Sequence, residues 1–415
     1  MRKALVAIIA TATLVVGASG ASALTRTDAA SPGVTSTRIT IGGTFPLSGP
    51  ASLYAPIPAG MKAYFTFINA RKAKGDGKRG VYGRQIVWKY YDDQYNPSKT
   101  VELTNQLLLQ DNVFAIVGSL GTEHNQAIRP LLNQRKVPQI LVSTGASFWG
   151  TQARQFPWTI GWQPDYISEG TAYGKWIAKN APNAKIAIFR QNDDYGKDYV
   201  NGIKEGLGNK ASLIVGEQTY ETTDTSYASQ LSRLKATGAD TWILITTPTP
   251  TGRAIATAKA LGWRPATIVL NSVAAVDAIM PAVVRAVGAD FVDGMVSSAY
   301  LKNPANAAYA KDPFVRTYYR TMHKYAPGVD ARNTFYYYGF AKAYDTVRLL
   351  YLAGKNPTRA SLMAATKKMN WVNPYAIKGV RDKTSPSDAF PLSQFKLIRY
   401  HNGTWSEFGP LINGR

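Results

Sequence analysis

The chain has 415 residues, 45% of them hydrophobic, no cysteine, and 48 Lys and Arg against 26 Asp and Glu, for a formal charge of +22. The missing cysteines exclude disulfides, thiolate metal sites, cysteine nucleophiles and the acylated cysteine of a lipoprotein. The basic residues are scattered in nothing longer than pairs such as Arg135-Lys136 and Lys367-Lys368. With no helix-turn-helix or aromatic-plus-basic module, no nucleic-acid partner is expected; a positive field instead attracts acidic surfaces and anionic solutes.

Residues 1–23 read as a signal peptide. Arg2 and Lys3 precede a small, apolar stretch, and Ala21-Ser22-Ala23 fits a small-residue cleavage site. No other stretch approaches the ~20 apolar residues of a spanning helix. The expectation is an exported chain, in the periplasm or extracellular space, of net charge +20 once Arg2 and Lys3 leave. The roughly 390 remaining residues exceed what one core usually holds, so two domains are the default.

After a Thr/Ser/Pro linker (24–37), residues 38–45 read as a strand and 51–73 as a long helix with Tyr54 near its start. A strand at 84–92 and a helix from Pro97 to about residue 110 follow. The stretch 114–149 is the centre of the design. Phe114-Ala-Ile-Val117 reads as a strand, Thr122 opens a helical pattern, and 138–142 is a second buried strand leading into Ser143-Thr-Gly-Ala-Ser147. Both loops follow strand carboxyl ends, where open α/β sheets bind ligands, and both are small, polar and glycine-containing. Neither loop carries a nucleophile–base pair.

A connector at 156–162 leads into a second series. It comprises helix 167–180, strand 185–189, a helix-capping loop at 192–196, strand 212–215, helix 227–235, strand 241–245, helix 252–261 and strand 267–270. After residues 294–298 the pattern becomes helical at 305–325, 334–352 and 359–369, and these helices are expected to return to the first unit. The end reads as a hairpin, 394–400 and 404–408, turned at Asn402-Gly403, and is expected to close the second unit. The fold class is α/β, in two lobes.

These pieces resemble a family. Ile41-Gly-Gly-Thr-Phe-Pro-Leu-Ser-Gly-Pro50, Tyr90-Tyr-Asp-Asp93 with Pro97, Val117-Gly118, Val137-Pro138 and Asn192-Asp-Asp-Tyr-Gly-Lys197 are together similar to the periplasmic solute-binding proteins of ABC importers, of the branched-chain amino acid type. The resemblance implies the class I periplasmic-binding fold, with a parallel sheet flanked by helices in each lobe and three crossovers at a hinge. The first lobe is expected at 38–157 and 300–385, the second at 158–299 and 386–415. It further implies a monomer without cofactor or metal that closes on a small-molecule ligand and delivers it to a membrane permease.

The same resemblance implies a ligand cage. Tyr54 falls where an aromatic residue covers the ligand, and Thr122 where a hydroxyl and neighbouring N–H hold its carboxylate. Thr144 and Ala146 match the second first-lobe loop, Tyr195 an aromatic wall of the second lobe, and Thr247 and Ser272 complete the set. There are departures. Thr247 replaces a larger residue, Ala146 lacks the usual hydroxyl, and Ser272 stands where amino-acid binders place a carboxylate for the α-ammonium. A buried ammonium without an anion is costly. Residues 145–149 and 156–164 are similar to a subgroup associated with aromatic and hydrophobic carboxylates, which is the expected ligand class, with Trp149 as a further candidate wall. A branched-chain amino acid or an amide is the alternative ligand, and a ligand-sensing receptor component the alternative role.

Each residue also has a plain structural reading. Tyr54 can staple the helix start, Thr122 can be a helix N-cap, Tyr195 can be core, and Thr247 and Ser272 ordinary loop polarity. Trp149 and Trp162 read as packing between lobes, and Tyr336-Tyr-Tyr338 as core. Asp92-Asp93 and Asp193-Asp194 suggest metal or paired-carboxylate chemistry, but adjacent side chains on an extended strand end diverge and no histidine is spaced to help, so solvated turn and cap roles are expected. His124 is the one histidine near the expected cleft. No HExxH, G-x-S-x-G or phosphate-cradling loop occurs, so no enzyme is expected.

Overall fold

Two sheets organise the chain. The computed structural model describes residues 31–73 and 77–414; the expected signal peptide at 1–23 and residues 24–30 of the linker lie outside them. The first sheet forms from β1 (Arg38–Phe45), α1 (Pro56–Ala70), β2 (Gln85–Asp92), α2 (Pro97–Leu109), β3 (Ile116–Val117), α3 (Thr122–Gln134), β4 (Gln139–Val142), α4 (Phe148–Thr151) and β5 (Thr159–Gly161). Its strand order is β2-β1-β3-β4-β5, all parallel.

The chain then passes to α5 (Tyr166–Asn180), β6 (Ile186–Gln191), α6 (Asp194–Leu207), β7 (Ile214–Tyr220), α7 (Ala228–Ala236), β8 (Thr241–Ile245), α8 (Pro248–Ala260), β9 (Thr267–Leu270), α9 (Met280–Val287), α10 (Ala289–Val292) and β10 (Val296–Ala299). It returns to pack against α1 with α11 (Pro313–Tyr325) and α12 (Thr334–Leu352), followed by α13 (Arg359–Thr366) and the short pair β11 (Asn370–Trp371) and β12 (Asp382–Lys383). A third passage delivers β13 (Gln394–His401) and β14 (Thr404–Asn413). The second sheet runs β14-β13-β10-β9-β8-β6-β7, parallel except where β13 pairs antiparallel with both β10 and β14, its partner in the final hairpin. Asn402 and Gly403, both at positive φ (52° and 81°), turn that hairpin.

Parallel sheets are covered on both faces, so their central strands are continuously apolar; β4 and β8 are buried at every position. Two helix pairs approach closely enough that only glycine fits between them. A Cβ on Gly202 of α6 would lie 2.2 Å from the Ile167 carbonyl of α5, and one on Gly339 of α12 would lie 2.0 Å from the Ile57 carbonyl of α1.

Several expectations need correction. The helix expected over 51–73 is a 3-10 turn, Ser52–Tyr54, followed by α1, which ends at Ala70; Ala55 is itself helical, but Pro56 and Pro58 have no N–H to bond back into the preceding turn. The helix at 305–325 divides likewise into a 3-10 turn, Ala307–Tyr309, and α11, which Asp312 caps and Pro313 begins. The presumed connector at 156–162 contains β5, an edge strand of the first sheet. β7 extends through polar residues to Tyr220, as an edge strand open on one side can. α9 and α10, between 280 and 292, were not anticipated.

Candidate functional site

The loops at the carboxyl ends of the strands meet around one cavity of about 150 Å³. β3 and α3 are joined through Gly121, which caps α3 at φ 105°, so Thr122 is the first residue of the helix and not its cap. Thr122 Oγ1 reaches Thr144 Oγ1, beyond the end of β4, at 2.6 Å. The Ala146 amide donates to Thr144 Oγ1 at 3.4 Å. Tyr54 closes the 3-10 turn before α1, packs edge-on against Phe335 at 4.9 Å, and donates to the Val273 carbonyl of the second lobe at 3.2 Å.

On the other side, Tyr195 lies in the first turn of α6, whose N-cap Asp193 accepts from the Gly196 amide. Its hydroxyl is buried and has no hydrogen-bond partner among the described residues. Thr247 caps α8, and its amide donates to Tyr220 Oη at 3.1 Å. Ser272 follows β9. Tyr54, Thr122, Thr144, Tyr195, Thr247 and Ser272 all line the cavity. Ala146 does not; it packs with Val142 and Trp149 in a separate small cluster. Trp149 therefore lies away from the cavity wall. Trp162 is also behind it, donating to Asp345 Oδ2 at 2.8 Å.

The sequence reading missed two buried charges, each one hydroxyl layer behind the wall. Glu169, on α5, is buried, and Oε1 accepts from Ser272 at 2.9 Å while Oε2 accepts from Ser298, Tyr199 and Tyr173 at 2.7, 3.0 and 3.1 Å. Burial raises its pKa, against the pull of these hydroxyls. Lys342, on α12, is equally buried. Its ammonium touches Ser143 Oγ, donates to Tyr338 Oη at 3.1 Å and lies over the rings of Tyr338 and Trp162 at 4.5 and 4.8 Å. Burial pushes its pKa well below the usual lysine range, and Asp345 only partly restores it. Tyr338 donates onward to Gln163 Oε1 at 2.8 Å. Ser143, Ser298, Gln163 and Tyr338 line the cavity, so Tyr338 is a wall residue where core was expected.

A signal for both existed. Lys342 and Asp345 interrupt a helix that is apolar on all sides, and Glu169 sits among tyrosines and glycines on the inner face of α5; charges in such places are buried and need partners. The acidic residues considered as alternatives do not replace them. Glu123 is exposed, Asp194 pairs with Lys197 at 3.3 Å, and neither lines the cavity.

The acidic pairs have structural roles. Asp92 accepts from the Leu47 and Ser48 amides, holding the turn after β1. Asp93 is buried, not solvated as expected, and accepts from Thr100 Oγ1 at 2.9 Å; burial raises its carboxyl to about 6. His124 is buried against Tyr95, a cavity residue, with ring centroids 4.2 Å apart, and burial lowers its pKa to about 4.

Comparison with known proteins places this geometry. A family model described as "Periplasmic binding protein" matches residues 38–397. The leucine-specific-binding protein of Salmonella typhimurium (strain LT2) is 22% identical over 176 residues, 42% of this chain and 47% of the relative; the chain thus spans about half the length of the curated relatives it matches. Among solved structures, a branched chain amino acid ABC transporter protein from Thermus thermophilus with bound valine superposes with a TM-score of 0.77 at 17% identity, covering 92% of this chain and 98% of the other. A solute binding protein of an R. palustris ABC transporter, in complex with 4-hydroxybenzoate, gives 0.73 at 18% identity, covering 91% and 97%. No helix among the described residues is long and apolar enough to cross a membrane.

Proposed function

We propose that this chain, which belongs to the periplasmic binding protein family, is exported, captures a small aromatic or otherwise hydrophobic carboxylate by closure of two lobes, and delivers it to the membrane permease of an ABC importer. The lobes are taken as 38–161 with 300–385, and 166–299 with 386–415, the first crossover falling beyond the expected residue 157 because β5 belongs to the first sheet. The carrying observation is the cavity itself. Hydroxyls of Thr122, Thr144 and Tyr195 converge on it, and Tyr54, Tyr95, Tyr166, Tyr195 and Phe335 line it. Donor hydroxyls suit a carboxylate, and aromatic walls suit an apolar body. Its volume of about 150 Å³ matches the size at which an apolar cavity accepts one benzene ring. One of the similar solved structures is a complex with 4-hydroxybenzoate. The chain acts by binding, without turnover.

Tyr54 donating to the Val273 carbonyl, and Asp198 of α6 accepting from the Ser147 amide at 2.7 Å, join the two sides of the cleft. In this reading they are contacts of the closed form, which a ligand touching both sides favours by population shift. A second reading, capture of a branched-chain amino acid, gains support from Glu169, an anion behind Ser272 at the position where an ammonium would need one.

Thermal unfolding of ligand-stripped protein with benzoates, cinnamates, fatty acids, leucine, valine and short amides separates the two. A ligand at a hundred times its Kd stabilises by about 2.7 kcal/mol. Stabilisation by the aromatic or hydrophobic acids supports the proposal. Stabilisation by leucine or valine alone overturns it in favour of the second reading.

A further inference from the structure

Ser272 and Ser298 stand at the cavity wall with Glu169 directly behind them. A carboxylate accepts and does not donate, so both serines give it their protons. What Ser272 turns toward the cavity is lone pairs, and Ser298, which also meets Tyr173 Oη at 2.7 Å, keeps one. Glu169 fixes this orientation, since a freely rotating hydroxyl would offer either a proton or a lone pair. The other side of the cavity has the opposite sense. Thr122 and Thr144 share one hydrogen bond and retain a proton, and the Lys342 ammonium supports the wall at Ser143 and Tyr338. The cavity therefore has a donor pair at Thr122 and Thr144, and acceptors where Glu169 backs the two serines.

We infer that Ser272 and Ser298, oriented by Glu169, form an acceptor subsite for a neutral hydroxyl carried by the ligand, so that the preferred substrates are hydroxylated aromatic carboxylic acids. The inference rests on the carboxylate reading above and specifies the ligand's other end. An ammonium fits the subsite less well. Glu169 does not line the cavity, and its oxygens are occupied by four hydroxyls, from Ser272, Ser298, Tyr173 and Tyr199. An incoming ammonium would meet serine oxygens without touching the carboxylate, and a buried charge needs direct pairing to recover its hydration. A phenolic hydroxyl needs one acceptor, which either serine provides. Glu169 is thus a positioning residue, acting through the two serines.

The test is calorimetric titration of the full chain with benzoate, 3- and 4-hydroxybenzoate, 4-methoxybenzoate and leucine, on the wild type and on Glu169→Gln and Ser272→Ala. In the wild type the better hydroxybenzoate is expected to bind at least about tenfold more tightly than benzoate, and 4-methoxybenzoate, which cannot donate, no better than benzoate. Glu169→Gln supplies an N–H that frees the serine hydroxyls to turn, so the preference for the hydroxybenzoate should shrink to within about threefold. Ser272→Ala, which keeps Glu169, should reduce the preference in the same way and serves if the glutamine variant does not fold. Equal binding of benzoate and both hydroxybenzoates by the wild type overturns the inference and leaves the proposed function standing. Leucine binding that collapses in Glu169→Gln overturns it by making Glu169 an ammonium anchor. If no benzoate binds while leucine does, the carboxylate reading itself fails.

Discussion

The hydroxyls of Thr122 and Thr144 lie 2.6 Å apart, one from each of the two strand-end loops of the first sheet. Two hydroxyls in mutual contact spend one proton on each other, and the pair keeps the second. Replacing Thr122 by Val removes one of the two hydroxyls, and with it the contact that orients Thr144, while preserving the branched shape at the start of α3. Carboxylate affinity should fall about 10- to 100-fold, the value of a hydrogen bond to a charged group, with a stability loss of about 1 kcal/mol. Titration calorimetry and denaturant unfolding measure the two effects separately. A large stability loss with unchanged affinity would make the pair a structural clamp only.

Lys342 has no carboxylate within ion-pair distance among the described residues, and its two hydroxyl partners have other bonds. Ser143 donates to the Gly118 carbonyl at 2.6 Å and Tyr338 to Gln163 at 2.8 Å. Lys342→Met should therefore leave neither hydroxyl stranded and remove a desolvated charge. Replacing buried charge with a well-packed apolar side chain is often neutral or stabilising by about 1–4 kcal/mol. The expected outcome is a ligand-free protein at least as stable as the wild type, with weaker binding of carboxylates, since the Lys342 amine no longer supports the cavity wall at Ser143 and Tyr338. Melting temperature and Kd check both; unchanged carboxylate affinity would remove Lys342 from the binding account.

Gly202 meets the Ile167 carbonyl across the α5–α6 contact. A methyl there forces the helices apart, at a cost of about 1–3 kcal/mol or more because the neighbour is backbone and cannot turn away. Gly202→Ala should lower the urea midpoint with little change in slope. Because α5 carries Glu169, the same variant should also blur the discrimination between hydroxybenzoate and benzoate.

His124 titrates at about 4 in the folded protein because burial disfavours its charged form, against about 6.5 when unfolded. The folded state therefore binds fewer protons between these values, and this contribution to stability is complete above pH 6.5 and lost as pH falls toward 4. Between pH 7 and pH 5 the loss amounts to about 2 kcal/mol. His124→Phe, which can keep the ring contact with Tyr95, should remove that part of the acid sensitivity. Unfolding free energies of both proteins at the two pH values give the difference directly; parallel pH dependence would show that His124 is not the group responsible.

The sequence by itself determined the order of strands and helices wherever apolar runs are bounded by clear stops. β1, β8, β9 and α12 fall on the residues expected from periodicity, and Asn402-Gly403 marked the final hairpin. It failed where local pattern and tertiary role diverge. β5 lacks a long apolar run, and the polar half of β7 needs no second partner because it lies at the sheet edge. Of seven residues singled out for the cleft, six reach one cavity, since loops at strand ends must gather at one edge of a parallel sheet. Ala146 shows the limit: one residue past Thr144 and Gly145, it turns into the cluster with Val142 and Trp149. The distant partners of the buried charges were decided by tertiary structure alone. Glu169 is 103 residues from Ser272 and 129 from Ser298, and Lys342 is 199 from Ser143. Each charge has one local partner, Tyr173 or Tyr338, four residues away on its own helix, but its remaining hydroxyls come from distant elements, and those separations leave no spacing to read.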